Sequence, residues 1–254
     1  MKRMIFNNKG GVGKTSIACN LAACLAKLNQ RVLVIDLDSQ ANSTSYLSGK
    51  QNFSQTMTDF FESTLTFQMG KVTLSEVIIK TNHQKIWLAP ADRGLGEIQA
   101  KLESRFKIQK LRKAVDQVIE EYKFDQVIID TPPAINFYTT SAIIASEKVL
   151  IPFDCDAFSL DGLNNVVQLI EEVREDHDLE VDLEGIVVNQ FHAGAKLPSH
   201  LVDALKKNQL PLIKPFITSS VVMRESRQAR SPLIEFKPKH KITQAFMDIA
   251  KSLD

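Results

Sequence analysis

Apolar and polar residues follow two distinct patterns along this chain. Short, nearly continuous apolar runs predict strands at 3–7, 31–37, 85–91, 124–133, 148–153, 183–191 and 211–217. Between these runs, apolar residues at helical spacing predict helices near 14–30, 93–122, 137–146, 159–176, 196–208 and 239–253. The region 47–71 has a weaker periodicity and predicts a loop with short helices.

Strands that are almost wholly apolar and separated by helices are typical of a parallel sheet buried on both faces. The order of elements therefore predicts an α/β fold with a doubly wound, mostly parallel sheet flanked by helices. The chain has 254 residues, of which 44% are hydrophobic, which suffices for one large core. Because no linker, repeat or low-complexity tract interrupts it, we expect a single domain over 1–254.

The composition argues against a membrane span and against a metal site built from cysteine or histidine. No run of 18 or more apolar residues occurs, so no segment is predicted to cross a bilayer. The three cysteines lack the spacing of metal ligands and are typical of reduced thiols in a cytoplasm. The five histidines show no ligand pattern. We therefore expect a cytoplasmic protein.

The stretch NNKGGVGKTS, at 7–16, has the context of a phosphate-binding loop, because a predicted strand leads into it and a predicted helix leaves it. Its glycines allow a tight turn whose N–H groups point at phosphate oxygens, and the helix N-terminus adds a positive dipole end. Lys14 suits the β- and γ-phosphates, and the Thr15 hydroxyl suits Mg²⁺. We therefore predict that ATP and Mg²⁺ are held by Gly10, Gly11, Val12, Gly13, Lys14, Thr15 and Ser16.

This loop departs from the ordinary pattern G-x-x-x-x-G-K-[ST], since Asn8 occupies the place of the first glycine and an extra lysine, Lys9, follows it. The sequence KGGVGKTS resembles the deviant Walker A motif of the ParA/MinD superfamily of P-loop ATPases. That resemblance implies that Lys9 reaches across a homodimer, formed on ATP binding, to the partner's nucleotide. A second cation there would neutralise phosphate charge and help to hold two subunits together.

Carboxylates follow two of the predicted strands, at the sheet edge where α/β proteins bind ligands. Asp36 and Asp38 lie in a D-x-D-x-Q-x-N-x-T segment that resembles the ParA/Soj form. This resemblance implies that Asp38 positions the attacking water and that Asp36 stands near the metal. Asp130 ends the apolar strand in FDQVIIDTPPA and suits Mg²⁺, directly or through water. The predicted catalytic residues are thus Lys9, Lys14 and Asp38, and the predicted metal-site residues are Thr15, Asp36 and Asp130.

Asn189 ends a later predicted strand, and its amide offers both a donor and an acceptor to an adenine edge. The family resemblance places an adenine contact here, although one asparagine at a strand end is also a common structural feature. In the region that follows, the chain reads FITSS where its relatives often have Ile-Pro-Arg. The base-side contacts of the family therefore do not transfer directly to this segment.

The net charge of +1 is unevenly spread, because residues 190–241 carry ten lysines and arginines against three acids. Such asymmetry is typical of a face for a polyanion, or of a solvated surface with scattered counter-charges. If 220–230 is helical, three arginines spaced by three lie along one side of it. Phosphate contact without base reading suits such residues, and the shortage of aromatic residues favours duplex DNA. The predicted non-specific DNA face comprises Arg224, Arg227, Arg230, Lys196, Lys206 and Lys207.

The resemblance covers nearly the whole chain and implies an ATP-dependent dimerising switch of ParA type. Such a switch binds DNA without sequence preference, associates with the nucleoid when ATP-bound, and positions or segregates a plasmid, chromosome or protein complex. Its slow, Mg²⁺-dependent hydrolysis is stimulated by a partner, here a ParB-like or other cargo adaptor protein.

Two alternatives stay open. A MinD-like membrane-associated ATPase would need an amphipathic C-terminal helix, and 239–254 does place apolar residues at helical spacing. The same stripe is typical of core packing, and the tail lacks a basic or aromatic tip. A metabolic ligase of P-loop type is the second alternative. A nitrogenase-type iron protein is excluded by the lack of paired cysteine ligands, and a bacterial tyrosine kinase by the lack of a C-terminal tyrosine cluster.

Overall fold

A computed structural model describes residues 1–49, 52–65, 71–105, 107–156, 159–192, 194 and 196–253. The strands are β1 Lys2–Ile5, β2 Val32–Asp36, β3 Ile79–Lys80, β4 Ile86–Ala89, β5 Gln126–Asp130, β6 Lys148–Asp154, β7 Asp182–Asn189 and β8 Leu212–Ile213. The helices are α1 Lys14–Lys27, α2 Asn42–Ser48, α3 Met57–Leu65, α4 Leu74–Val77, α5 Gly94–Ser104, α6 Lys110–Tyr122, α7 Phe137–Ala145, α8 Ser159–Asp176, α9 Lys196–Lys207, α10 Val221–Gln228, α11 Leu233–Phe236 and α12 Lys241–Ser252.

The strands form one sheet in the order β3-β4-β2-β5-β1-β6-β7-β8. Every neighbouring pair is parallel except β3 and β4, which run antiparallel. The predicted doubly wound, mostly parallel sheet is therefore confirmed. The strand order reverses at β1, which lies between β5 and β6, and ligands of open α/β sheets bind at the carboxyl ends of strands around such a point.

Alternating side chains on the strands bury two hydrophobic clusters, one on each face of the sheet. On β1, Met4 packs into the cluster covered by α3 to α9, whereas Ile5 packs into the cluster covered by α1, α2, α11 and α12. The apolar stripe of α12 belongs to the second cluster, where it packs with α1; its members are Ile242, Phe246, Ile249 and Leu253, at most 7% exposed. The C-terminal helix therefore uses its apolar face inside the core.

Each of the seven predicted runs contains a strand, and six of these strands have bounds within three residues of the prediction, whereas only Leu212–Ile213 of the run 211–217 is a strand. The antiparallel two-residue strand β3 was not predicted. The predicted helical region 93–122 contains two helices, α5 and α6, separated by a turn in which the Lys110 N–H donates to the Lys107 carbonyl. Within the predicted loop at 47–71 lies α3, while 50, 51 and 66–70 fall outside the described residues.

Candidate functional site

The glycine-rich loop connects β1 to the first turn of α1 at the carboxyl edge of the sheet. Gly11 and Gly13 adopt left-handed backbone angles, with φ of 78° and 97°, which L-residues other than glycine rarely accept. A side chain at Gly13 would place its Cβ 2.3 Å from the Asn189 Nδ2 atom. At Gly10 and Gly11, by contrast, an added Cβ would meet no atom within 4 Å. The loop thus leaves open space over its first glycines, as close approach of a phosphate requires.

Asn189, at the end of β7, is hydrogen-bonded to the glycine-rich loop. Its Nδ2 donates a hydrogen bond of 2.8 Å to the Val12 carbonyl, and the neighbouring Gln190 donates to the Gly11 carbonyl at 3.3 Å. The residue predicted to read adenine therefore lies directly against the phosphate-binding loop. In this structure its amide nitrogen already donates to a backbone carbonyl of the loop.

Lys14 begins α1 and folds back into the loop. Its Nζ donates to the carbonyls of Asn7 and Lys9, each at 2.9 Å, and the side chain is buried. Burial lowers the pKa of Lys14, although the negative charges of Asp130 and Asp38 oppose this shift. The ammonium group is thus held among loop carbonyls beside two carboxylates, where it can exchange these acceptors for phosphate oxygens.

Asp36 and Asp130 are direct neighbours across β2 and β5, and both are fully buried. Asp130 Oδ2 accepts hydrogen bonds from Thr15 Oγ1 at 2.8 Å and from Ser43 Oγ at 2.6 Å. Asp130 Oδ1 is buried and has no hydrogen-bond partner among the described residues. Asp36 is instead satisfied, by the Thr44 N–H and hydroxyl, each at 2.8 Å, and by the Asp38 N–H at 3.1 Å.

Burial raises the pKa of both carboxyl groups, and for Asp36 the adjacent charge of Asp130 adds to the rise. A cation close to the two groups would reverse this effect. The Asp130 oxygen without a partner, beside the Thr15 hydroxyl, offers a position for one. Of the predicted metal-site residues, Thr15 and Asp130 therefore come together, while the oxygens of Asp36 are used within the fold.

Asp38 lies just beyond β2 and lines a cavity of about 250 Å³ together with the loop residues Lys14, Thr15 and Ser16. Its Oδ1 accepts a 2.9 Å hydrogen bond from the Gln40 N–H, which fixes the carboxylate at the cavity wall. Gln40 and Pro133, the latter from the segment that follows β5, line the same cavity. The predicted catalytic aspartate thus faces the phosphate-binding loop.

Lys9 pairs with carboxylates of its own chain. Its Nζ lies 3.0 and 2.9 Å from the two carboxylate oxygens of Asp154, at the end of β6, and 2.9 Å from Asp156 Oδ2. Burial disfavours the charged form, yet the hydrogen bonds and charges of the two aspartates leave the pKa of Lys9 raised. These aspartates were missed, although their position at the end of a predicted strand placed them at the site's edge of the sheet.

The described residues of the predicted DNA face differ in their surroundings. Arg224 and Arg227 line a cavity of about 330 Å³ on the base side of the loop, together with Asn189. Arg230 instead donates a 2.7 Å hydrogen bond to the Gly49 carbonyl at the end of α2. On α9, Lys206 pairs with Asp203 at 3.0 Å and Lys207 is exposed, while the side chain of Lys196 lies outside the described part. A DNA-binding role for these six residues stays a prediction.

Comparisons with known proteins agree with this geometry. The AAA domain family matches residues 2–183. The chain is 30% identical to the chromosome partitioning protein ParA of Myxococcus xanthus, covering 98% of this chain and 86% of that protein. It is 29% identical to the sporulation initiation inhibitor protein Soj of Bacillus subtilis, covering 98% and 96%.

Among solved structures, the fold is similar to that of apo McdA from Cyanothece, with a TM-score of 0.87 over 100% of this chain and 99% of that one. At 23% identity this likeness concerns the fold alone. The sequence relatives carry the assignment further, because they align along almost the whole chain. The chain belongs to the ParA/MinD superfamily of P-loop ATPases.

Proposed function

We propose that this protein is a ParA-type ATPase, in which ATP and Mg²⁺ close a homodimer that binds duplex DNA without sequence preference and positions a cargo. A partner protein of the ParB or adaptor kind stimulates hydrolysis and releases the dimer from DNA. The proposal is carried by the meeting, at one edge of the sheet, of an open glycine loop, Lys14, and an Asp130 oxygen beside Thr15 that has no partner among the described residues.

The residues at this edge fit ATP and Mg²⁺. Open space over Gly10 and Gly11 leaves the loop N–H groups accessible to phosphate, and Lys14 adds a cation. No cluster of three metal-binding side chains occurs in the described parts of the chain. Mg²⁺ in nucleotide sites usually takes only one or two protein oxygens and completes its shell with phosphates and water. Thr15 and Asp130 would hold it here, and when bound it would supply positive charge to the phosphates.

Each catalytic residue would then have a separate task. Lys14 would bind the phosphates, and Asp38, fixed by the Gln40 N–H, would orient water at the cavity wall. Lys9 would contact the nucleotide of the partner subunit. To do so, it would have to break its charge-assisted hydrogen bonds to Asp154 and Asp156. Slow turnover suits a site that a second subunit and a partner protein must complete.

The packing of α12 favours DNA over a lipid membrane as the surface to which this protein binds. The apolar stripe of α12 is buried against α1, so it is not available to lie in a lipid interface. Among the described residues, no helix combines the length and the hydropathy that a bilayer crossing needs. The names of the relatives ParA and Soj associate them with partitioning and sporulation, which supports a positioning role for this chain.

Co-sedimentation with duplex DNA and flotation with anionic liposomes, each with ATP, ADP or no nucleotide, test the proposal. We expect ATP-dependent binding to DNA of any sequence and no binding to liposomes, and Lys14→Ala should abolish the ATP dependence. Liposome binding with ATP, in the absence of DNA binding, would contradict the proposal in favour of the MinD-like alternative.

A further inference from the structure

Helix α10 is fastened to the phosphate-binding helix α1 and to α2 by a buried polar contact. Ser226, which is fully buried, lies 2.8 Å from the Tyr46 hydroxyl on α2. Asn20, on α1, donates to the same hydroxyl at 3.3 Å and contacts the Met223 sulfur at 3.7 Å. These contacts hold α10 against the two helices that lie beside the nucleotide site.

The residue after Ser226 is Arg227, and it stands where three cavities around the loop meet. One, of about 250 Å³, is lined by Lys14, Thr15 and Asp38; the second, of about 330 Å³, is the base-side cavity with Asn189. The third, of about 430 Å³, lies between α2 and α10. Among the described residues, Arg227 alone lines all three.

Arg227 has no hydrogen bond or ion pair with any described residue, and the same is true of Arg224, which lines two of the three cavities, whereas other cations are paired. Lys9 binds Asp154 and Asp156, Arg230 binds the Gly49 carbonyl, and Lys237 binds Glu225 at 3.0 Å. The charge of Arg227 is nevertheless felt inside the protein. Burial and Asp130 raise the pKa of the Cys19 thiol on α1, and Arg227 opposes that rise.

We propose that Arg227 binds the phosphates that ATP and ADP share, a role that rests on the proposed nucleotide site and replaces the DNA contact predicted for this residue. Ser16 and Arg227 both line the cavity that contains Lys14 and Asp38 and the base-side cavity that contains Asn189. The arginine therefore lies between the predicted phosphate and base positions. A guanidinium presents a planar fork of donors that matches phosphate oxygens. Arg227 thus adds a cation to the site from the same chain.

Nucleotide binding measured calorimetrically, without DNA, tests this role. Because hydrogen bonds to charged groups are worth about 1.5–3 kcal/mol, we expect Arg227→Ala to weaken both ADP and ATP binding by about ten- to a hundredfold. Arg227→Lys, which keeps the charge but loses the fork, should fall between wild type and Arg227→Ala. The matched control is Arg230→Ala, which removes the same charge from outside all three cavities and should bind ADP like wild type.

Thermal unfolding separates this role from a structural one. Since Arg227 is exposed, Arg227→Ala without nucleotide should unfold at the wild-type temperature, and ADP should raise that temperature less than in wild type. If the alanine variant does not fold, Arg227→Lys carries the same comparison.

Three results would overturn the inference. Wild-type ADP and ATP affinities in Arg227→Ala would show that the residue does not bind nucleotide and would favour the predicted DNA contact instead. Loss of ATP affinity alone would show that it contacts only the terminal phosphate. An equal loss in Arg230→Ala would show a general charge effect. Wild-type protein that binds neither nucleotide would instead refute the proposed function itself.

Discussion

Substitution of Gly13 by alanine should destabilise the protein through two effects, a strained backbone conformation and a clash with Asn189. The backbone at Gly13 has φ of 97°, and forcing an L-residue into the left-handed region costs about 1–2 kcal/mol. The new Cβ would lie 2.3 Å from Asn189 Nδ2, so the asparagine must move and lose its hydrogen bond to Val12, worth about 0.5–1.5 kcal/mol. Together these effects should lower the free energy of unfolding by about 1.5–3.5 kcal/mol.

Urea unfolding without nucleotide measures this change, and Gly10→Ala is the matched control. A Cβ at Gly10 meets no atom within 4 Å, and the residue has no left-handed φ, so its stability should stay within about 0.5 kcal/mol of wild type. The same Cβ would occupy the space into which a phosphate must come, so Gly10→Ala should bind ATP at least about tenfold more weakly. Equal stability of the two variants would refute the reasoning about Asn189.

Four further predictions concern the catalytic lysines, Asp38 and the basic helix α9. Lys14→Ala should lose nucleotide binding in calorimetry, because it removes the cation at the phosphates, and wild-type ATP affinity would contradict the P-loop assignment. Lys9→Ala should bind ATP but stay monomeric in light scattering, whereas wild-type dimerisation would exclude a role across the dimer. Asp38→Ala should bind ATP, dimerise and hydrolyse slowly; undiminished phosphate release would remove it from catalysis. Replacement of Lys206 and Lys207 by alanine should weaken DNA binding alike for every sequence and flatten its salt dependence, by about one unit of slope per lost phosphate contact. An unchanged slope would place the DNA face elsewhere.

Local sequence patterns were sufficient for most of the strands, for the longer helices and for the loop. Apolar runs predicted seven of the eight strands, and helical spacing predicted five helices singly, namely α1, α7, α8, α9 and α12. The motif at 7–16 predicted the phosphate-binding loop, because glycines, Lys14 and Thr15 are needed at fixed positions along one stretch of chain. Asp130 was predicted because it ends an apolar strand, while the role of Asp38 was implied by the resemblance of its D-x-D segment to the ParA/Soj form.

The contacts between these elements depend on strand order, which the local pattern does not contain. The parallel sheet brings the ends of β1, β2, β5, β6 and β7 to one edge, although 184 residues separate the first strand end from the last. Only there does Asn189 meet Val12, and only there do Asp154 and Asp156 meet Lys9.

The arginines of α10 show the same division. Their spacing of three predicted a common face on a helix over 220–230, but Arg230, with a left-handed φ of 52°, lies beyond the end of α10 at Gln228. The docking of α10 through Ser226 onto Tyr46 turns Arg227 toward the phosphate-binding loop, while Arg230 binds the end of α2. The sequence by itself determined the helix and its charges, because periodicity is a local property. The tertiary structure decided which neighbour each charge faces, because that depends on the packing of segments far apart in the chain.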